Sequence, residues 1–187
     1  MKKLITLILI LALALPALAL ADYSSALDMT MEDFINKYNA VQAPLGSPYT
    51  ALDKPNAWTK WEGYFVAWFT ADKNEEAKIL LYSKDPNCKQ MLTAGLDEIH
   101  IYAGKTDFVP MISVANRCAS VFAADIFGSS IAPFKVTSVI SYYYENNAKE
   151  KRLIAYNTLD AEEKVSIAFQ ADGDLYLFKI LNREAIQ

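Results

Sequence analysis

The feature that most limits the fold of this chain is a succession of short β-like runs, each closed by a polar break. In the second half, VTSVISYYYE, KRLIAYN, KVSIAFQ and LYLFKIL are separated by ENNAKE, TLDAEE and ADGD. β-Branched and aromatic residues favour extended chain, and polar, glycine-containing breaks reverse it. Four consecutive antiparallel strands are therefore expected from Val136 onward. Alternation in the first run puts Val136, Ile140, Tyr142 and Tyr144 on one face and Val139 and Tyr143 on the other. Upstream, residues 61–70, 78–83 and 98–102 read as strands, with ADKNEE at 71–76 turning the first back on the second.

Two segments carry a helical period instead. Met31, Phe34, Ile35 and Tyr38 recur at i, i+3, i+4 and i+7, so a helix with one apolar face is expected over 29–38. Thr30 can cap it, Asp33 can complete a capping box, and Met29 can staple onto Phe34. A second helix opens at Asp107, carries Pro110 in its first turn and stops before Gly128. On its wheel Met111, Ala115, Cys118, Phe122 and Ile126 form the core side, and Ser113, Asn116, Arg117 and Ser120 the polar side. Asp125 lies at the edge of the apolar side, where capping or pairing suits it better than catalysis. Residues 43–56, with three prolines and a glycine, are expected to form an irregular connection.

These elements place the chain in the α+β class: a largely antiparallel sheet of about six to seven strands with two main helices packed on it. Thr70-Ala-Asp72 followed by Glu75-Glu76 and a lysine is echoed by Thr158-Leu-Asp160, Glu162-Glu163 and Lys164. That echo raises the reading of two helix-then-sheet units in tandem, 29–105 and 107–182, within one domain spanning 22–187. The plan resembles that of secreted β-lactamase inhibitor proteins, a likeness of architecture that implies partner binding through a sheet face.

The first residues, MKKLITLILILALALPALALA, run from two lysines through an apolar stretch to Pro16 and Ala19-Leu20-Ala21. This is the order of a secretory signal peptide over 1–21, with cleavage before Asp22; an uncleaved anchor is the alternative. The chain is expected to be secreted or periplasmic. The segment removed is basic, so the remainder is more acidic than the formal net charge of −4 for the whole chain. Nucleic acid and, after cleavage, membrane are not expected as partners. Cys88 and Cys118, the two cysteines, read in an oxidising compartment as a disulfide, stabilising by roughly 3 to 4 kcal/mol on the loop-entropy scale.

The chemistry open to the chain is narrow. His100, in DEIHIYA, is the one histidine. Alternation places it on one strand face with Glu98 and Tyr102, and a lone histidine beside an acid is expected to be a half-exposed strand residue. With no second histidine and no free thiol expected, no metal site or cofactor is predicted. No G-x-S-x-G elbow and no phosphate-cradling loop occur. Carboxylate chemistry survives as an alternative: a glycoside hydrolase of envelope polysaccharide, with Glu62 between Trp61 and Tyr64.

The leading reading is a non-enzymatic exported domain that binds a protein or glycan partner through aromatic surface; a structural envelope component is the third choice. The three tryptophans all fall in AWTKWEGYFVAWF, residues 57–69. In a strand over 61–70, Trp61, Phe65 and Phe69 share one face and Glu62, Tyr64, Val66, Trp68 and Thr70 the other. Phe65 and Trp68 are expected in the core. Tyr49 and Trp58, in the irregular segment, with Trp61 at the strand entrance, are expected to rim the binding surface.

Overall fold

The computed structural model describes residues 23–41, 50–74, 76–104, 107–123, 131–146, 154–172 and 174–186. Among them are three α-helices, α1 (Met31–Ala40), α2 (Phe108–Ser120) and α3 (Ala132–Asn146). Seven strands accompany them: β1 (Ala57–Trp61), β2 (Tyr64–Thr70), β3 (Lys78–Ser83), β4 (Glu98–Gly104), β5 (Ala155–Thr158), β6 (Val165–Asp172) and β7 (Leu175–Asn182). One antiparallel sheet takes them in the order β1-β2-β3-β4-β7-β6-β5. Two meanders, β1 to β4 and β5 to β7, thus meet edge to edge where β4 pairs β7. The class is α+β, as the sequence implies. Among the described residues no helix is long and apolar enough to cross a membrane; residues 1–21, expected to be a signal peptide, lie outside them.

The run from Val136 is a helix, not a strand. Ala132, Val136 and Val139 are buried, and Ile140 and Tyr143 pack on the core, a 3.6-residue stripe that competes with the period-two alternation. Thr137 and Ser138 hydroxyls donate back to the Pro133 and Lys135 carbonyls at 2.7 and 2.8 Å, which satisfies them inside the helix. Tyr142 and Tyr144, expected on a strand face with Val136, are exposed. The strand lost here is replaced by one upstream. Glu62 and Gly63 take φ values of 48° and 88°, a pair of left-handed residues that folds the expected 61–70 strand into the β1-β2 hairpin.

The echo between the two polar turns has a physical counterpart. Asp72 Oδ1 accepts from the Ala77 N–H and the Ala71 N–H bonds the Ala77 carbonyl; Asp160 Oδ1 accepts from the Val165 N–H and the Leu159 N–H bonds the Val165 carbonyl. Each turn joins the strands at the corresponding place in its meander, β2 to β3 and β5 to β6.

Directly paired residues on neighbouring strands point to the same face, so the register sorts the whole sheet. One face carries Ala67, Phe69, Ile79, Leu81, Ile99 and Ile101, and across β7 and β6 Phe178, Ile180, Ile167 and Phe169; all are buried beneath the helices. Helix α2 lies against β4 and β7, and α3 against β5 and β6. Helix α1 begins with the expected capping box, in which Thr30 Oγ1 accepts from the Asp33 N–H at 3.1 Å and Asp33 accepts from the Thr30 N–H at 3.3 Å. Its far end is closed by Arg117 of α2. That residue, expected on the polar side, is only 7% exposed and donates to the Tyr38 and Asn39 carbonyls at 2.7 and 3.1 Å. The guanidinium also lies 4.5 Å from the Tyr38 ring centre.

The segment from Tyr23 to Thr30 is tied down by buried Asp97, which accepts from the Tyr23 hydroxyl, the Ala26 N–H and the Lys84 N–H. Gly95 bridges Thr30, and a Cβ there would fall 2.7 Å from the Tyr23 ring and 2.8 Å from Ser25 Cβ. Only glycine fits without moving the segment.

The cysteines correct another expectation. Both are free thiols. Cys118 is wholly buried among apolar neighbours, whereas Cys88 is half-buried on the β3-β4 connection with its Sγ bonded to the Gln90 carbonyl. Burial pushes both thiols above the ordinary cysteine value, so neither is poised as a thiolate nucleophile. Asp125 and Gly128 lie outside the described residues.

Candidate functional site

The other face of the sheet has no described helix packed on it, and it is not a polar surface. From β1 to β4 it presents Trp61, then Tyr64, Val66 and Trp68, then Leu80 and Tyr82, then Glu98, His100 and Tyr102. Trp61 is 54% exposed, and Tyr64, Trp68 and Leu80 are half-buried. Val66 and Tyr82 are buried between them, while the rings of Trp61, Tyr64 and Trp68, which a core would absorb, are shared with solvent.

Polar groups are woven between the rings. His100 Nε2 lies 2.9 Å from Glu98 Oε2 and Nδ1 lies 3.3 Å from the Tyr102 hydroxyl. The Lys84 ammonium stands 3.6 Å from Glu98 Oε1 and 5.2 Å from the Tyr64 ring centre. Tyr82 lies across the imidazole, with ring centres 4.3 Å apart, and meets Tyr64 edge to face at 5.6 Å. His100 is 8% exposed, not half-exposed as a lone strand histidine beside an acid suggested.

Burial, which outweighs the pull of Glu98, holds the His100 pKa below its ordinary 6.5. The imidazole is therefore neutral at pH 7: Nε2–H donates to the carboxylate, and Nδ1 accepts from Tyr102. That hydrogen bond in turn holds Glu98 below the usual carboxylate value, so Glu98 stays ionised. Burial raises Tyr82 and Tyr102, which remain protonated donors. The cluster is a hydrogen-bonded floor with one half-buried anion and no activated nucleophile.

Linkage gives this floor a measurable consequence. Because the folded His100 pKa is depressed, its contribution is complete above about pH 6.5 and is lost as pH falls through that value, where the unfolded chain takes up a proton that the folded chain refuses. Glu98, also depressed, adds a second loss below its ordinary 4.5. Lys179 and Lys84 face the pair and oppose a further positive charge. Wild-type protein should lose melting temperature between pH 7.5 and 5, and His100→Gln, which keeps a donor and an acceptor, should lose less. Parallel curves for the two proteins would refute the assignment.

The residues expected to rim a site divide between the two faces. Trp61 is on the open face. Trp58, one residue out of phase in β1 rather than in a loop, points to the other face, stacks on Phe65 with ring centres 5.3 Å apart and packs against the core. Trp68, expected in the core, stands on the open face with the Lys78 ammonium 5.8 Å from its ring centre. Tyr49 lies outside the described residues. Glu62 sits exposed in the hairpin turn, and Glu98 is the one carboxylate that β1 to β4 place on the open face. Among the described residues no group of three or more histidine, cysteine or acidic side chains could hold a metal.

Beyond β4 the open face becomes more apolar. Leu177, Lys179 and Leu181 of β7 and Ala168 of β6 floor a cleft of about 190 Å³, walled by Ile154 and by Ile186 from the short 3-10 turn Arg183–Ile186. Lys179 stands opposite both His100 and Ala168, on the line where the aromatic half meets this cleft.

No protein-family model matches the chain, and neither curated proteins nor solved structures give a match. The architectural likeness to β-lactamase inhibitor proteins thus gains no support from them.

Proposed function

We propose that this protein is an exported, non-enzymatic binding domain that docks a protein partner on the open face of the sheet, over Trp61, Tyr64, Trp68 and Leu80. The observation that carries the reading is the aromatic and aliphatic row left without a described helix on one face of a sheet whose other face is largely packed beneath the helices. Tyrosine and tryptophan bury much area with few rotors to freeze and keep a polar tip, which suits them to the centre of an interface. Beneath them the Glu98-His100-Tyr102 network fixes the backbone, so the surface is ordered before the partner arrives. A two-carboxylate glycosidase is less well supported, because this half of the face offers Glu98 alone and holds it in hydrogen bonds. Glycan binding is the second reading, favoured by the exposed Trp61 ring beside Tyr64.

Immobilised wild-type domain should retain a saturable component of the cell envelope that the Trp61→Ala/Trp68→Ala variant loses, by at least about tenfold in affinity. Phe134→Ala, on the outer surface of α3, should retain it. Equal retention by all three proteins would end the proposal. Release of the retained component by soluble glycan, but not by salt or protease, would favour the glycan reading instead.

A further inference from the structure

We infer that the cleft over β6 and β7 is a site for a small anionic amphiphile, a short apolar chain ending in a carboxylate, with Lys179 as the head-group ligand. This site is separate from the aromatic half of the face and does not depend on the partner proposed there. Leu177, Leu181, Ala168, Ile154 and Ile186 supply apolar walls, and Lys179 is the one charged side chain among the lining residues. Charge complementarity selects the head group. Among the described residues no carboxylate pairs with the Lys179 ammonium, while the nearby anion Glu98 is taken by His100 and Lys84. Lys179 acts on Glu98 only through space, with no ion pair between them among the described residues. A lysine beside an apolar cleft with no ion-paired carboxylate among the described residues favours a ligand that brings both a chain and a negative charge.

Size selects the chain. At about 190 Å³ the cleft is smaller than the roughly 300 to 1,000 Å³ of sites that engulf a drug-sized ligand. It suits a chain of a few methylenes rather than a whole long-chain lipid. The carboxylate would lie at the seam toward His100, and the chain would run over Leu177 and Leu181 toward Ile186.

The test uses octanoate as the probe, with acetate and octyltrimethylammonium as controls, followed by methyl-region NMR and calorimetry on the intact domain. Octanoate should bind saturably and shift the Leu177 and Leu181 methyls. Acetate, lacking the chain, and the cation, lacking the charge, should each bind at least about tenfold more weakly. Lys179→Gln should lower octanoate affinity by at least about tenfold, and Ala168→Phe, which fills the cleft, should abolish it; melting curves would confirm that both variants fold. Equal binding of octanoate and the cation, or unchanged binding by Lys179→Gln, would mean apolar adhesion beneath a lysine that merely extends to water, and would overturn the proposal. So would binding of a peptide with a free C-terminal leucine in the absence of octanoate binding, since the occupant would then be a chain end.

Discussion

Replacing Phe169 with alanine should cost about 3 to 5 kcal/mol, the range for removing a fully enclosed phenylalanine. Its ring is the hub of the second meander's core, with ring centres 4.7 Å from Phe178, 5.1 Å from Tyr143 and 5.7 Å from Tyr176. Those neighbours come from β7 and α3, so the space left cannot be closed by one side chain relaxing. Against a total stability of about 5 to 15 kcal/mol, the loss would leave the domain marginal or unfolded. Phe169→Leu keeps most of the volume and should cost clearly less. Urea titrations would show the difference as a shift of midpoint at constant slope. If alanine and leucine behave alike, the ring is not the hub that this packing describes.

Removing Arg117 should cost about 2 to 5 kcal/mol, because the Asn39 carbonyl would lose its side-chain donor and the Tyr38 carbonyl would be left with the Val41 N–H at 3.3 Å alone, in a place that is largely shut off from water. The loss is not of charge alone. The planar guanidinium bonds both carbonyls while lying over the Tyr38 ring, a combination a lysine ammonium cannot reproduce, so Arg117→Lys should recover only part of the stability. Arg117→Met fills the same space without donating. If methionine restores wild-type midpoints, the residue matters for volume and the capping account fails.

Much of the fold was legible in the sequence, and the errors have identifiable causes. Helix α1 and strands β2, β3, β4, β6 and β7 lie where period and turn chemistry put them, and α2 starts as expected but ends at Ser120, short of the stop expected before Gly128. The misreading at 136–145 arose because Val136, Ile140, Tyr142 and Tyr144 satisfy period two while Val136, Val139, Ile140 and Tyr143 satisfy the helical period. Pro133, at home in a first turn, was the signal that favoured the helix. The β1-β2 hairpin was hidden because its turn is Glu62-Gly63 rather than the asparagine or aspartate before glycine that usually announces one.

That single turn sets the places of two tryptophans. A continuous strand over 61–70 places Trp61 with Phe65 and Phe69 and leaves Trp58 in the loop; the hairpin pairing sends Trp58 under the sheet and Trp61 onto the open face with Tyr64, Val66 and Trp68. The alignment of Glu98, His100 and Tyr102 on one face was legible from alternation. The burial of His100 was not, since it depends on Tyr82 and on β7 arriving beside it. Lys179 gave no signal at all, because a lysine inside LYLFKIL marks nothing until the strand order sets it opposite His100.

The central claim is that the open sheet face meets the partner and the outer helix surface does not. Its most direct test is photo-crosslinking in producing cells, with benzoylphenylalanine in place of Thr59 or Trp61 on the open face and in place of Val109 or Phe134 on the helices, all four being exposed. The account predicts a discrete adduct from positions 59 and 61 and none from 109 and 134. Adducts from the helix positions alone would contradict it.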